Sequence, residues 1–577
     1  MDNAAIARAL NEIADLLEIR GDNPFRIRAY RTAADTVAAE PTPVAALDDA
    51  ALRELPGVGR DLAARIRELA ETGDTPFRQE LLADFPATIL ELLRLQGVGP
   101  KTVKRLYDEL KIASLDGLEA ACRAGRLRAM RGLGAKKEAL ILRAIEDRRR
   151  YAGRRLAADV AEAADGVIAA LRARHPGASL TPVGSLRRGL ETCGDLDILV
   201  SGAPPAIMEA FVTLPQVERV LGRGETKSSV LLNGGLQADL RLVTPAQQGA
   251  ALQYFTGSKA HNIALRDRAL DRGWRLNEYG LFDVKSGRAI AGETEAGIYE
   301  ALGLQWIPPE LRECRGEVEA AEAGTLPTLV TLEDLRGDLH SHTTVTDGRD
   351  DLRTMAMAAR ALGHEYLAVT DHSQSLAMAN GLNEARALEH AARIRALSDE
   401  LDGITLLAGI ECDIRPDGTM DLADDCLAQL DIVVASIHSQ FGLEPARMTE
   451  RLLAAIANPW VDVIGHMTGR LLLRREPYAF DLDAVLDAAA REGVAIEINC
   501  QVDRLDVNDG IARLARERGI PLVISSDAHS TRELQTQRFG VAVARRAWAT
   551  TADVLNTCRL PALRKRLRRN RRRRGAR

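Results

Sequence analysis

The sequence predicts a multi-domain α/β chain: a helical opening stretch, an α+β middle and a C-terminal domain of alternating strands and helices. Three observations carry this. Through residues 1–150 apolar residues recur at helical spacing, as in AIARALNEIADLLEI and ILELLRL. From about residue 180 short β-rich runs take over, LDILV, SSVLL and ADLRLV, before a helical pattern returns at AHNIALRDRAL. After residue 335 the apolar runs YLAVTD, ITLLAGIE, DIVVASIH, VDVIGH, VAIEIN and PLVISSDAH alternate with helical stretches, the pattern of a parallel sheet or barrel. At 577 residues the chain exceeds one core, and about three to five domains are expected.

Composition narrows the class. Apolar content is ordinary and aromatic content is 4%, so the chain is globular and soluble. No stretch is long and apolar enough to span a bilayer, and the N-terminus carries acids inside an amphipathic pattern, unlike a signal peptide. The seven cysteines are scattered without a C-x-x-C pair, as reduced cytosolic thiols are. A cytoplasmic, nucleoid-associated location is expected. The net charge of −5 hides a tail, residues 559–577, with eleven Lys/Arg and no acid, which leaves −16 on the remainder. The chain is therefore no uniformly basic nucleic-acid binder. The block 561–577 is expected to be a disordered tail, either merely solvated or adding salt-dependent DNA affinity.

The helical stretch is interrupted by three glycine turns, LPGVGRDLAARI, LQGVGPKTVKRLY and MRGLGAKKEALIL, at a spacing of roughly 35–40 residues. Each can end one helix and start another, whose free N–H groups then suit a phosphate. One copy alone would read as an ordinary turn. Two close copies and a looser third resemble the helix-hairpin-helix motif, which grips DNA backbone without reading sequence. Candidate DNA contacts are Gly57, Gly59, Arg60, Arg65, Gly97, Gly99 and Lys101.

In GSLRRGLETCGDLDILV, Asp195 and Asp197 stand two apart on an expected strand and so share a face. Asp239, in ADLRLV, can join them. A lone D-x-D is commonly a solvated strand edge, but here Gly184, Ser185, Arg187 and Arg188 lie just upstream as phosphate donors. Three carboxylates suit Mg²⁺.

G-S-x-R-R-G followed by G-D-x-D resembles the nucleotidyltransferase fold, and YFTGSKAHNIALRDRAL and LNEYGLF narrow the likeness to the family X DNA polymerases, which include DNA polymerase beta. With WIPPELRE and the C-terminal domain, nearly the whole chain is similar to bacterial and archaeal members that carry a C-terminal PHP (polymerase and histidinol phosphatase) domain. The resemblance implies two Mg²⁺ ions on Asp195, Asp197 and Asp239. It implies Ser185, Arg188 and Gly194 on the nucleotide phosphates, Tyr254, Phe255 and Gly257 along the sugar, Asn262 at the base edge and Arg266 on the template. Arg241 would release Asp239 when the site opens. Lys259 stands where the beta enzyme has an acid, so that base contact does not carry over from the resemblance.

The domains implied are a helical DNA-end-binding domain over 1–80, a second helix-hairpin-helix domain over 81–150, a palm over 151–245, a thumb over 246–315, a linker over 316–335 and the PHP domain over 336–560. In beta-type enzymes the first domain also removes a 5′-deoxyribose phosphate through a lysine Schiff base. The corresponding position here is Arg65, and residues 1–100 contain no lysine, so this lyase activity is expected to be absent. Arg60, Arg65, Arg67 and backbone amides would still hold a 5′-phosphate.

The C-terminal domain opens on GDLHSHTTVTDG, with His340 and His342 two apart on an expected strand. Of ten histidines in the chain, six fall at expected strand ends after residue 335: His340, His342, His372, His438, His466 and His529. Asp347, Glu411 and Asp527 join them. Mixed histidine and carboxylate ligands favour Zn²⁺, Mn²⁺ or Fe²⁺ over Mg²⁺, and nine exceed the needs of one ion. His364 and His390, in helical contexts, read as surface residues. The set is similar to the PHP pattern in full, which implies a distorted barrel of about seven strands. The implied grouping is His340, His342, Glu411 and Asp527 on one ion, with Glu411 bridging to a second on His438 and His466. Asp347, His372 and His529 would hold a third, with Mn²⁺ or Zn²⁺ as the metal. Arg470 reads as a phosphate ligand. The function implied is gap-filling DNA synthesis in base excision repair, joined to 3′–5′ exonuclease or end-processing hydrolysis, with abasic-site incision also open. The partners implied are gapped or nicked DNA with a 5′-phosphate and dNTPs, with a monomer acting away from membranes. Two other readings remain: a phosphatase of small phosphoesters, and a DNA-end scaffold with structural metals.

Overall fold

The structure is a computed structural model and describes residues 3–40, 44–86, 88–93, 95, 98–130, 132–150 and 153–567. Gly97 and the end of the basic tail lie outside the described residues. The chain divides into two compact units, residues 1–152 and 153–577.

In the first unit the expected helical periodicity becomes a helical core. Asn3–Arg20 and Pro24–Ala39 lie side by side, and Ile13, Leu17, Leu52, Ile66, Leu69 and Leu106 are fully buried among them. The glycine turns place helices as expected. Gly59 is the N-cap of Arg60–Thr72 and Gly99 that of Pro100–Leu110, and neither cap has a side chain bonded over the first amides. Gly57 has φ 75°, and a Cβ there would come to 2.6 Å from Thr32 Cγ2, so both backbone and space require glycine. The third turn differs: the carboxylate of Glu138, in the first turn of Ala135–Arg150, accepts from the amides of Leu127 and Arg128.

In the second unit a five-stranded sheet runs in the order Ser179–Pro182, Leu196–Ser201, Leu236–Val243, Lys227–Leu232 and Val217–Gly222. Helices Ala157–Arg174 and Ala206–Val212 bury Val160, Val167, Ile207 and Phe211 against Ile198, Val200 and Leu240. The two central strands are parallel, in a register that sets Asp197 beside Asp239. Helices Gln248–Thr256 and Lys259–Asp271 follow, with the hairpin Trp274–Asn277 and Gly280–Asp283 and a third strand, Ala289–Ala291.

The segment 306–330 is packed. Ala321 and Leu329, within the stretch 316–335 expected as a linker, belong to the same core as Ile307, Leu311, Leu265 and Tyr299. Its charges are spent inward. Arg312 and Glu317 are fully buried, Arg312 2.7 Å from Glu295 and Glu317 2.8 Å from His261 Nδ1. Polar residues that look solvated in sequence are here the partners of buried charges.

The remainder is a seven-stranded, all-parallel sheet in sequence order, from Gly337–Asp338 through Tyr366–Val369, Thr405–Asp413, Ile432–Ser436, Val463–Ile464 and Ala495–Asn499 to Leu522–Ser525. Both strand faces are covered, which is why these runs read as continuously apolar. The ends nearly close: His342 N donates to Ala528 O (2.9 Å) and Asp527 N to His340 O (3.0 Å). Inside, Leu339, Tyr366, Val434 and Val523 pack with Leu555, Leu563 and Leu567, so the C-terminal helix Leu560–Arg566 helps fill the barrel. The first strand is shorter than expected, and His340 and His342 lie just beyond it.

Candidate active sites and metal centre

The barrel gathers the nine candidate ligands at the C-terminal ends of its strands, where parallel barrels carry their chemistry. Glu411 lies within Thr405–Asp413, while His438, His466 and Asp527 each follow a strand by two residues. His466 (φ 23°) and Asp527 (φ 54°) hold left-handed backbone, uncommon for non-glycine residues and characteristic of functional positions.

Glu411 is central. Its Oε2 lies 3.4 Å from His340 Nε2, 3.5 Å from His342 Nε2 and 2.8 Å from His372 Nδ1; its Oε1 lies 2.9 Å from His466 Nε2 and 3.3 Å from His438 Nε2. Asp527 Oδ1 stands 3.0 Å from His342 Nε2 and 3.5 Å from His340 Nε2. Asp347 Oδ2 is 3.3 Å from His372 Nε2 and 3.6 Å from His529 Nε2, and Asp347 Oδ1 is 4.0 Å from His342 Nδ1. Three ligand groups result: His340, His342, Glu411 and Asp527; His342, Asp347, His372 and His529; and His372, Glu411 and His438. The first repeats the expected grouping. In the others His342 and His372 present one ring nitrogen to each of two groups.

The donor set fits divalent metal ions. Glu411 Oε2, His340 Nε2, His342 Nδ1 and His372 Nδ1 are buried and close to one another, yet lack hydrogen-bond geometry; they face common centres instead of each other. Charge agrees. Burial and the neighbouring imidazoles of His529 and His372 push His342 down to about 4. Burial would lower His372 and His438 too, but the Glu411 charge lifts them to about 10 and about 9. The Glu411 charge thus keeps protons on these imidazoles where cations would sit.

Supporting residues were not found from sequence. Glu497, fully buried, accepts from His340 Nδ1 (2.7 Å) and from His466 N (2.7 Å), leaving His340 Nε2 for the centre. Asp413 pairs with His438 Nδ1 at 3.1 Å, and Asn499 donates to Asp527 Oδ2 at 3.0 Å. Their signal was only positional: acids and an amide at barrel strand ends. Two expectations fail. His364 and His390 are buried, not on the surface, and His390 Nε2 bonds Asp371 (2.8 Å), which also clamps Thr343 and Thr346 on the Asp347 loop. Arg470 does not face the ligands as a phosphate donor; its guanidinium is bidentate on Glu191 of the central sheet domain, at 2.5 and 3.0 Å.

In that sheet domain Asp197 and Asp239 are neighbours and Asp195 is exposed at the strand's start. Burial, then the charges of Asp195 and Asp239, raise Asp197 to about 6, so the site would welcome cations. Lys227, unnoticed in the sequence, puts Nζ 2.6 Å from Asp239 Oδ2. Gly184 (φ 65°) lets the start of the short helix Gly184–Arg187, which carries Ser185, lie against Asp197, whose Oδ2 would be 3.3 Å from a Cβ there. Arg188 bonds Glu313 (Nε, 3.0 Å) and the Thr256 carbonyl, while Arg187 is committed to Glu295 at 2.8 Å. Tyr254 and Phe255 stand edge to face at 5.2 Å, and Arg241 stacks on Phe255 at 4.4 Å from the ring centroid. Asn262 is held by Gln253 and by the Tyr254 carbonyl. Gly257 adjoins Arg188, Arg266 is exposed, and Gly194 is exposed beside Asp195. In the first unit Arg65 pairs with Glu68 and lies over Phe77, Arg67 is tied to Asp49, and Arg60 and Lys101 are exposed.

A helical glycine-turn unit, a nucleotidyltransferase-like sheet with paired acids and a metal-collecting barrel together define a DNA polymerase joined to a phosphoesterase. Family models match in the same order: a helix-hairpin-helix domain (1–75), a SAM-like helix-hairpin-helix tandem (89–147), DNA polymerase beta palm (157–223), DNA polymerase beta thumb (251–313) and PHP domain (338–501). The chain is 37% identical over 580 residues to the DNA polymerase/3′-5′ exonuclease PolX of Bacillus subtilis strain 168, covering 99% of this chain and 100% of that protein. Over 38% of the chain it is 30% identical to a probable phosphatase of Thermoanaerobacter sp. strain X514, and over 33% it is 34% identical to one of Shewanella sp. strain MR-4, covering 89% and 75% of those proteins. The chain belongs to the bacterial family X DNA polymerases that carry a C-terminal PHP domain.

Proposed function

We propose that the palm fills short gaps in damaged DNA and that the PHP barrel removes nucleotides from 3′ ends in the 3′–5′ direction; the name of the Bacillus relative, DNA polymerase/3′-5′ exonuclease, supports the pairing of the two activities. The carrying observation is that both candidate sets are present: Asp197 stands in register with Asp239, eight of the nine barrel candidates fall into three ligand groups, and the ninth, His466, lies 2.9 Å from Glu411. Magnesium in the palm, two ions, and up to three manganese or zinc ions in the barrel would supply Lewis acidity toward phosphate at each site. Asp195, Asp197 and Asp239 hold the first set. Ser185, Arg188 and Gly194 bind the triphosphate, and Tyr254, Phe255 and Gly257 bound the sugar. Glu497 and Asp413 fix the ring orientation of His340 and His438, so ligand atoms are aimed before metal arrives. The uncapped amides after Gly59 and Gly99 take DNA phosphates, including a 5′-phosphate at the gap.

The likeness of the barrel to two probable phosphatases supports a second reading, a phosphatase of small phosphoesters. Gapped DNA labelled near its 3′ end separates these. Asp197→Ala should abolish extension and spare shortening, and His340→Ala should do the reverse. Loss of both activities in both variants refutes the two-site reading, and release of inorganic phosphate without shortening favours the phosphatase.

A further inference from the structure

The loop read here as the triphosphate holder is itself held by the PHP domain. Helix Gln537–Arg546 of that domain lies against it: a Cβ on Gly189 (φ 68°) would come to 3.0 Å from Ala542 Cβ. Arg546, at the end of this helix, donates through NH1 to the backbone carbonyl of Arg188 at 3.0 Å. The same NH1 donates to Glu313 Oε1 at 2.9 Å, and that oxygen also accepts from Arg188 Nε at 3.0 Å. Its NH2 is 3.0 Å from Asp509, which also pairs with Arg315. Arg546 is only 7% exposed, so these charges interact far more strongly than a surface pair would.

Two arginines thus share one carboxylate oxygen, and one of them is assigned to the nucleotide. We propose that Arg546 is a positioning residue for nucleotide binding in the palm. It fixes the Arg188 backbone and shares the Glu313 oxygen with the Arg188 guanidinium, which weakens that pair and eases its exchange for phosphate. Without Arg546, Glu313 pairs with Arg188 alone and competes with the triphosphate. The inference rests on the assignment of Arg188 to the triphosphate, and it makes the hydrolytic domain a determinant of how tightly the polymerase holds dNTP.

Single-nucleotide gap filling by the full chain tests this. Arg546→Ala should raise KM for dNTP about three- to tenfold, with kcat nearly constant. Arg546→Lys should recover part of the loss, since it keeps the charge but not the forked geometry. Glu313→Gln should offset the Arg546→Ala defect in the double variant, because the competitor is gone. Arg545→Ala cuts another contact of the same helix, to Glu310 and the Val330 carbonyl, and should leave KM unchanged. Shortening of labelled DNA by each variant reports an intact barrel; if Arg546→Ala loses it, Arg546→Lys carries the comparison. An equal KM effect from Arg545→Ala, or no relief from Glu313→Gln, overturns the proposal. Arg188→Ala is the separate check: if it leaves KM unchanged, the triphosphate assignment itself is wrong.

Discussion

Glu411 divides its two oxygens between different sets of histidines, so one carboxylate serves as the hinge of the whole candidate metal centre. Such a residue is set by others that never touch a metal. Glu497 binds His340 Nδ1 and His466 N while itself fully buried. Glu497→Gln should therefore lower hydrolysis and metal affinity by about 10–100-fold while gap filling proceeds. Titrating metal into a chelated sample and following shortening checks this, and undiminished affinity would refute the positioning role. The candidate ligands were legible in the sequence because six histidines fall at expected strand ends. Glu497 was not, because one acid in VAIEIN looks like any other. At the opposite end of the chain, Arg65 pairs with Glu68 and lies over Phe77, a guanidinium with no free amine to offer. Borohydride reduction on a 5′-deoxyribose phosphate end should give no adduct within residues 1–100 other than at the α-amine. An internal adduct there would show that another group performs the lyase step.

At the scale of elements, the strands were easier to read than the segment that joins the thumb to the barrel. Parallel strands covered on both faces leave continuous apolar runs, whereas residues 306–330 carry charges whose partners lie far away in sequence. Glu295 shows the cost of that blindness. It is buried between Arg187, Arg312 and the Trp306 indole nitrogen, at 2.8, 2.7 and 3.3 Å. Burial would raise its carboxyl, but Arg187 and Arg312 hold it down at about 2. A carboxyl depressed on folding contributes stability above its ordinary value, and this is lost as the pH falls through the folded value. The advantage of the parent over Glu295→Gln in urea should thus be full at neutral pH and shrink between pH 4.5 and about 2. Trp306, which contacts Glu295 directly, gives a local fluorescence signal for this part of the fold. An advantage constant across that window would mean that shape, not charge, holds the joint.

At the scale of the whole molecule, the order of domains that the family models match could be read in advance, but the contacts between palm and barrel could not. Arg470 illustrates why. In MTGR, four residues after a metal ligand, it looks like a phosphate donor. In the fold it spans domains to Glu191 and donates also to the Leu505 carbonyl. The pair is mostly shielded, with Arg470 side-chain exposure of 8% and Glu191 of 22%, so it outweighs an ordinary surface ion pair. The two roles predict different genetics. A strut fails equally from either end, so Arg470→Ala and Glu191→Ala should each lower the unfolding midpoint. The double variant should lose about 1–3 kcal/mol less than the sum of the two. A phosphate donor fails only from its own end: Arg470→Ala would cripple DNA shortening, Glu191→Ala would not, and the stability effects would simply add. Thermal unfolding and 3′-end shortening of the four proteins decide between them. The interlocked geometry of Arg470 with Glu191, and of Arg546 with Arg188, favours the strut: the barrel is built onto the polymerase through residues 188–191.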